Sequence, residues 1–355
     1  MKRPADPTRS GHRMTLAGIS RFTLALAFAL VMIDAGRGAD ALVLDSGDGQ
    51  GNTDAPPGLP EWENVGRRWG GPSVVYVGHR WVMTANHVGA GFVVFDDERY
   101  EAVSGTAQTI LNPDGSPADL LIFRIDREPG LPALRIARRP PRVGQELFLV
   151  GTGASRGRRL TVDSPVAGLL DGFQWSPDET RRWGTNVMSG PVETVVGSDT
   201  LTRAIPMLFD RIDDPAGTDH EAAAAHGDSG GALFALEDAL MPERGHVLSG
   251  ILFSVSSTGE QPKDASLYGN VSYAVDLSSY RDQLIAAIRP ACANERDDDL
   301  DERIDYPDDP DCDSDDDDDE TATGAGAGKL ARWLSALWFA WLVWRSTALW
   351  RARSG

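Results

Sequence analysis

Cysteine is almost missing from this chain: there are two, Cys292 and Cys312, among 355 residues. Neither falls between residues 61 and 290, so a core formed there must be held by packing, not by a disulfide framework. An excess of positive charge is missing as well. The formal net charge is −19, and residues 293–320 hold seventeen acids against two arginines, so the rest of the chain carries only −4. A nearly balanced body predicts no overall basic field to attract nucleic acid, so no partner of that class is expected. Long apolar runs are scarce. The run near the start, residues 22–33, has twelve residues, too few to span a bilayer core comfortably. No internal repeat is apparent.

What is present divides the chain. Residues 1–21 carry Lys2, Arg3, Arg9, Arg13 and Arg21 with a single acid, Asp6, and the short apolar run is followed by Ala39-Asp40-Ala41. A basic region, a short apolar core and an A-x-A site read as a secretory signal peptide over residues 1–41. The protein is therefore expected to be exported: periplasmic, at the cell surface or secreted. Residues 42–60 are rich in Gly, Pro and Asp without periodicity and read as a linker. From residue 61 to 290 the pattern is short apolar or alternating runs, at 73–77, 81–85, 91–95, 120–125, 147–150, 231–234 and 247–255. Pro and Gly turns separate them, which predicts an all-β sandwich or barrel. Val275, Leu277, Tyr280, Leu284, Ile285 and Ile288 recur at helical spacing and predict one closing helix, ended by Pro290. After an acidic segment, 291–320, residues 321–328 are a small-residue spacer. Residues 330–350 are then apolar apart from Arg332, Arg345 and a few hydroxyls, and hold half of the ten Trp. That tail predicts membrane contact, as a surface-lying amphipathic segment or as an anchor.

Three short motifs carry chemistry: Thr84-Ala85-Asn86-His87, then Ala118-Asp119-Leu120-Leu121-Ile122-Phe123, then His226-Gly227-Asp228-Ser229-Gly230-Gly231. They supply a base, a group to orient it and a nucleophile, in the order His, Asp, Ser. A serine hydroxyl hardly ionises at neutral pH, so a base must take its proton as it attacks, and imidazole suits that task. The motifs resemble those of the trypsin-like (chymotrypsin-fold) serine proteases, over about residues 61–290. The resemblance implies a double six-stranded antiparallel β-barrel with a short C-terminal helix. It implies a serine endopeptidase with His87, Asp119 and Ser229 as triad, Gly227 and Ser229 as N–H donors to the oxyanion, a protein or peptide substrate, and no cofactor for catalysis. His226, beside the active turn, is a candidate cleft residue. The same glycine-serine turn also fits G-x-S-x-G of the α/β-hydrolases, but that fold needs Ser, Asp, His in order, and only His246 follows Ser229.

Two departures from the family pattern matter. Animal members are activated by a cut before Ile-Val-Gly-Gly, whose new ammonium pairs with the aspartate preceding the nucleophile. Here the equivalent stretch reads Glu63-Asn64-Val65-Gly66, so Asp228 needs another partner or none. The position six before the nucleophile, an acid in enzymes that cut after Lys or Arg, is Ala223, which predicts a substrate pocket without a buried charge.

The acidic segment resembles Asp-rich calcium repeats of bacterial surface proteins and thrombospondin type 3. Asp297, Asp299, Asp301 and Asp305 are the candidate ligands, since alternate carboxylates suit a hard cation. Leu300 and Glu302 stand where such repeats have glycine, and a solvated acidic spacer is the alternative reading. In an exported protein Cys292 and Cys312 are expected to close one disulfide around it. Two rival functions follow: a catalytically silent binding module on the same fold, and a calcium-binding surface protein.

Overall fold

The computed structural model describes residues 42–312 except 166–167, 178–179, 198–199, 238–244 and 298–301. The readings of residues 1–41 and of the spacer and tail lie outside the described residues, as do Asp299 and Asp301.

The chain is mostly β, with one short α-helix near its C-terminal end. In spatial order, Glu98–Tyr100, Val93–Phe95, Val65–Arg68, Ser73–Gly78, Trp81–Thr84, Pro117–Arg124 and Gln108–Leu111 form one seven-stranded sheet. Arg182–Val187, Glu146–Gly151, Ala232–Leu236, His246–Val255, Val271–Asp276, Thr200–Leu208 and Glu193–Gly197 form a second. Each sheet is drawn from its own stretch of chain, the first before residue 125 and the second after 145. Two smaller sheets complete the fold. Ser155–Ser164 pairs with Gly168–Ser176 and then Ala265–Leu267, and Val43–Leu44 pairs with Ala222–Ala223. The two main sheets have seven strands each, with no closing ladder among the described residues.

Alternation explains the strands that are legible in sequence. Ser73–Gly78 and Trp81–Thr84 are buried throughout, so they read as unbroken apolar runs. The long hairpin of Ser155–Ser164 and Gly168–Ser176 is half exposed and carries Arg158, Arg159 and Asp163, so no apolar run announces it. One core lies between the sheets. Val75, Met83, Leu120 and Ile122 from the first meet Val150, Phe234, Leu248 and Ile251 from the second. The closing helix Arg281–Ile288 seals this core with Leu284, Ile285 and Ile288. Val275, read as helical, is instead in the strand Val271–Asp276, and a 3-10 turn Leu277–Tyr280 joins strand to helix. Arg289 is extended, as the residue before a proline prefers.

Both flanks of residues 61–290 make contacts with that body. Leu42, Val43 and Leu44 are fully buried, so the supposed linker begins with a wedge of core. Beyond Pro290, Cys292 and Cys312 are joined in a disulfide, as expected. Glu295 binds Arg138 and Arg281 at 2.6 Å each, and Arg296 donates to the carbonyl of Asp282 at 2.9 Å. Contacts therefore cross the boundary drawn at residue 290.

Candidate active site

His87 occupies a single 3-10 turn, Asn86–Val88, directly after the strand Trp81–Thr84. Asn86 steadies that turn, its side-chain oxygen accepting a hydrogen bond from Thr109 Oγ1 at 2.8 Å. His87 Nδ1 lies 2.8 Å from Asp119 Oδ2, and the His87 backbone N–H donates to Oδ1 at 3.0 Å. A carboxylate only accepts, so Nδ1 carries the proton and Nε2 keeps its lone pair. The Asp119 side chain is 1% exposed and that of His87 30%, so the acid is dry and the base is reachable. The Asp119 N–H donates to Thr202 Oγ1 at 2.8 Å, from the strand Thr200–Leu208 of the other sheet.

Ser229 comes from the second half of the chain, in the turn before Ala232–Leu236. Two contacts press this turn against the first sheet. The Ser73 N–H donates to the Gly227 carbonyl at 3.1 Å, and a Cβ on Gly230 would collide with the Ser73 carbonyl and Thr84 Oγ1. Thr84 is three residues before His87, so the serine turn packs against the strand end that leads to His87. Gly227 and Gly230 have φ of 93° and 88°, a conformation that glycine adopts without a Cβ penalty. The Gly230 N–H goes to the Leu252 carbonyl and that of Asp228 to the Ala225 carbonyl. Among the described residues the N–H groups of Gly227 and Ser229 have no backbone acceptor.

Asp228 is fully buried and does have partners. Its carboxylate accepts the N–H of Gly153 and of Ala225, each at 2.8 Å, and of Leu42 at 3.1 Å. The stretch that reaches Asp228 is therefore Leu42-Val43-Leu44, not Glu63-Asn64-Val65-Gly66. Burial pushes this carboxyl up to about 7, although the three N–H donors pull the other way. Leu42 has φ of 47°, in the left-handed region that costs a branched side chain about 1–2 kcal/mol. The apolar triplet opening a polar segment was the sequence signal for this contact.

Ala223 is 2% exposed and packs with Val43, Phe173, Phe209 and Ala225. His226 is exposed, and its carbonyl accepts the Ala154 N–H at 2.8 Å, which ties the turn to the long hairpin. Sequence reasoning missed Glu221. Burial pushes its carboxyl up to about 7, and it accepts from Thr218, Asp210 and Asn186, so it organises the chain below Ala223. Of the metal candidates, Asp297 and Asp305 are described and both accept backbone N–H groups. Asp305 accepts the N–H groups of Asn294 and Glu295, and Asp297 accepts that of Glu302. Among the described residues no three His, Cys, Asp or Glu are grouped to hold a metal ion.

Residues 72–241 match the model of the trypsin-like peptidase domain, a segment that holds His87, Asp119 and Ser229. No curated protein sequence matches the chain. Solved structures resembling it include the Rv3671c protease of M. tuberculosis in an inactive form, 17% identical, TM-score 0.39, covering 65% of this chain and 92% of that one. The HtrA-type protease AlgW with a decapeptide is 18% identical, TM-score 0.36, over 62% of this chain and 55% of that one. Neuropsin, a serine protease of mouse brain, is 20% identical, TM-score 0.37, over 60% and 86%.

Proposed function

We propose that this protein is a serine endopeptidase working through His87, Asp119 and Ser229. The observation that carries the reading is the His87–Asp119 pair, locked in one tautomer, at the junction that receives a glycine-rich serine turn. Ser229 Oγ would attack the peptide carbonyl while His87 Nε2 takes its proton, and Asp119 would stabilise the imidazolium. The N–H groups of Gly227 and Ser229 would hold the oxyanion. His87 then returns the proton to the leaving amine, and a water repeats the sequence to release the acyl group. A trypsin-like serine peptidase needs no cofactor for this. The trypsin-like double barrel is the finer fold reading that goes with it. The test is labelling by a fluorophosphonate, expected on Ser229 and absent in Ser229→Ala. An unlabelled wild-type protein with a normal melting curve would leave the silent binding module in its place.

Export belongs to the same reading, with the signal peptide removed after Ala41 and the tail at the membrane. Cleavage there would turn the Leu42 N–H into an ammonium 3.1 Å from the buried Asp228 carboxylate. It would also free Leu42 from its strained φ, since no carbonyl would precede it. The resemblance to animal enzymes would then be restored, with leader removal as the activating cut. Sequencing of the exported protein should begin at Leu42; a start elsewhere removes this part of the reading.

A further inference from the structure

Composition hides a local concentration of positive charge. Among the described residues, Arg135, Arg138, Arg139, Arg281 and Arg289 line one cleft of about 670 Å³ with two carboxylates, Glu237 and Glu295. Five guanidiniums against two carboxylates leave a net of +3. A neighbouring cleft of about 320 Å³ shares Arg289 and adds Arg80 and Arg124 against one carboxylate, Glu128, so the positive excess continues as a belt beside the closing helix. Glu295 already gathers Arg138, Arg281 and Arg289 around its single carboxylate, which shows the ligand chemistry this cleft accepts. Arg135, Arg138 and Arg139 are exposed.

The geometry points to an intramolecular docking site: this belt binds the chain's own acidic run, residues 313–320. That run has seven acids in eight residues and is a motif the catalytic reading leaves unused. It also starts at the rim of the cleft. Cys312 is joined to Cys292 with their Cα atoms 5.7 Å apart, and Cys292 is three residues from Glu295. Three residues span at most about 11 Å, and eight extended residues reach about 27 Å, so the run can cross the cleft. Asp305 caps the N–H groups of Asn294 and Glu295, holding the returning chain against that rim. A single exposed ion pair contributes only about 0–1 kcal/mol, but several forked Arg–carboxylate pairs on a short tether act at an effective concentration of about millimolar. Docking would fix the side of the body from which the tail leaves.

The test uses the full-length protein with a photo-crosslinking amino acid at Asp316. Crosslinks are expected on residues 135–139 and 281–289 at low salt, falling at least about fivefold near 0.5 M NaCl, where screening is short-ranged. They should also be lost in Arg139→Glu and in a chain with Asp315 to Asp319 changed to Asn. Crosslinks to other surfaces, or crosslinks indifferent to charge reversal, overturn the proposal. Crosslinks to anionic lipid in vesicles, with none to the belt, overturn it too and assign the run's neighbourhood to the membrane surface.

Discussion

At the scale of single residues, the candidate site separates two jobs. Ser229 and His87 would react, so Ser229→Ala and His87→Ala should each cut kcat/KM on a peptide by roughly 10³-fold or more with the melting temperature little changed. Asp119→Asn should cost on the order of 10⁴-fold, because the amide favours the wrong tautomer. Gly230 is structural. A Cβ there meets backbone at φ 88°, so Gly230→Ala should lower the melting temperature by several degrees, about 2–4 °C for each kcal/mol in a domain this size. Asp228 gives a pH signature. Its carboxyl is raised from 3.8 to about 7 while Leu42 offers only an amide N–H. A group raised in the folded state contributes stability that is complete below the unfolded pKa and lost as pH climbs through the folded one. A chain extended by a residue before Leu42 should therefore lose stability between pH 4 and 7, relative to the chain starting at Leu42, whose ammonium would hold Asp228 ionised. That gap should close again once the amine deprotonates, above its usual value of about 8. Melting curves of both forms from pH 4 to 10 measure it; parallel curves would mean that the amine does not reach Asp228.

At the scale of elements, the site depends on strands from different sheets holding each other. Asp119 is in Pro117–Arg124 of the first sheet, and the hydroxyl accepting its N–H belongs to Thr202 in Thr200–Leu208 of the second. Thr202→Val keeps the shape and leaves that buried N–H without its acceptor, a loss of about 1–3 kcal/mol. Stability and kcat should fall together, with KM little changed, because the shift is felt at His87 through Asp119. A variant with normal kcat and lowered stability would make Thr202 merely a packing residue. Apolar periodicity revealed elements buried on both faces, such as Ser73–Gly78. It missed Glu193–Gly197, where Val195 is half-buried, Val196 is exposed and the strand is identified by its partner Thr200–Leu208.

At the scale of the whole molecule, the described residues on both sides of residue 290 hold each other. Ending the chain at residue 290 removes the disulfide and the pairing of Glu295 with Arg138 and Arg281. A chain of residues 42–312 should therefore melt several degrees above one of residues 42–290. Both should label with fluorophosphonate, since the candidate triad lies before the cut. Equal melting temperatures would restore the boundary at Pro290. Loss of labelling in the shorter chain would show that the acidic loop supports the site.

The sequence by itself determined the identity and order of the candidate reactive groups, the β character of residues 61–290 and the closing helix. Those are local properties: residue chemistry, turn residues and apolar period can be read within a dozen positions. Tertiary structure alone decided that Leu42 reaches Asp228 across 186 positions, that Thr202 braces Asp119, and that seven arginines gather along one flank. Each of these depends on which distant strands pair and which buried polar groups remain to be satisfied. A buried carboxylate must find donors wherever the fold brings them, and a net charge near balance says nothing about where charges of one sign collect.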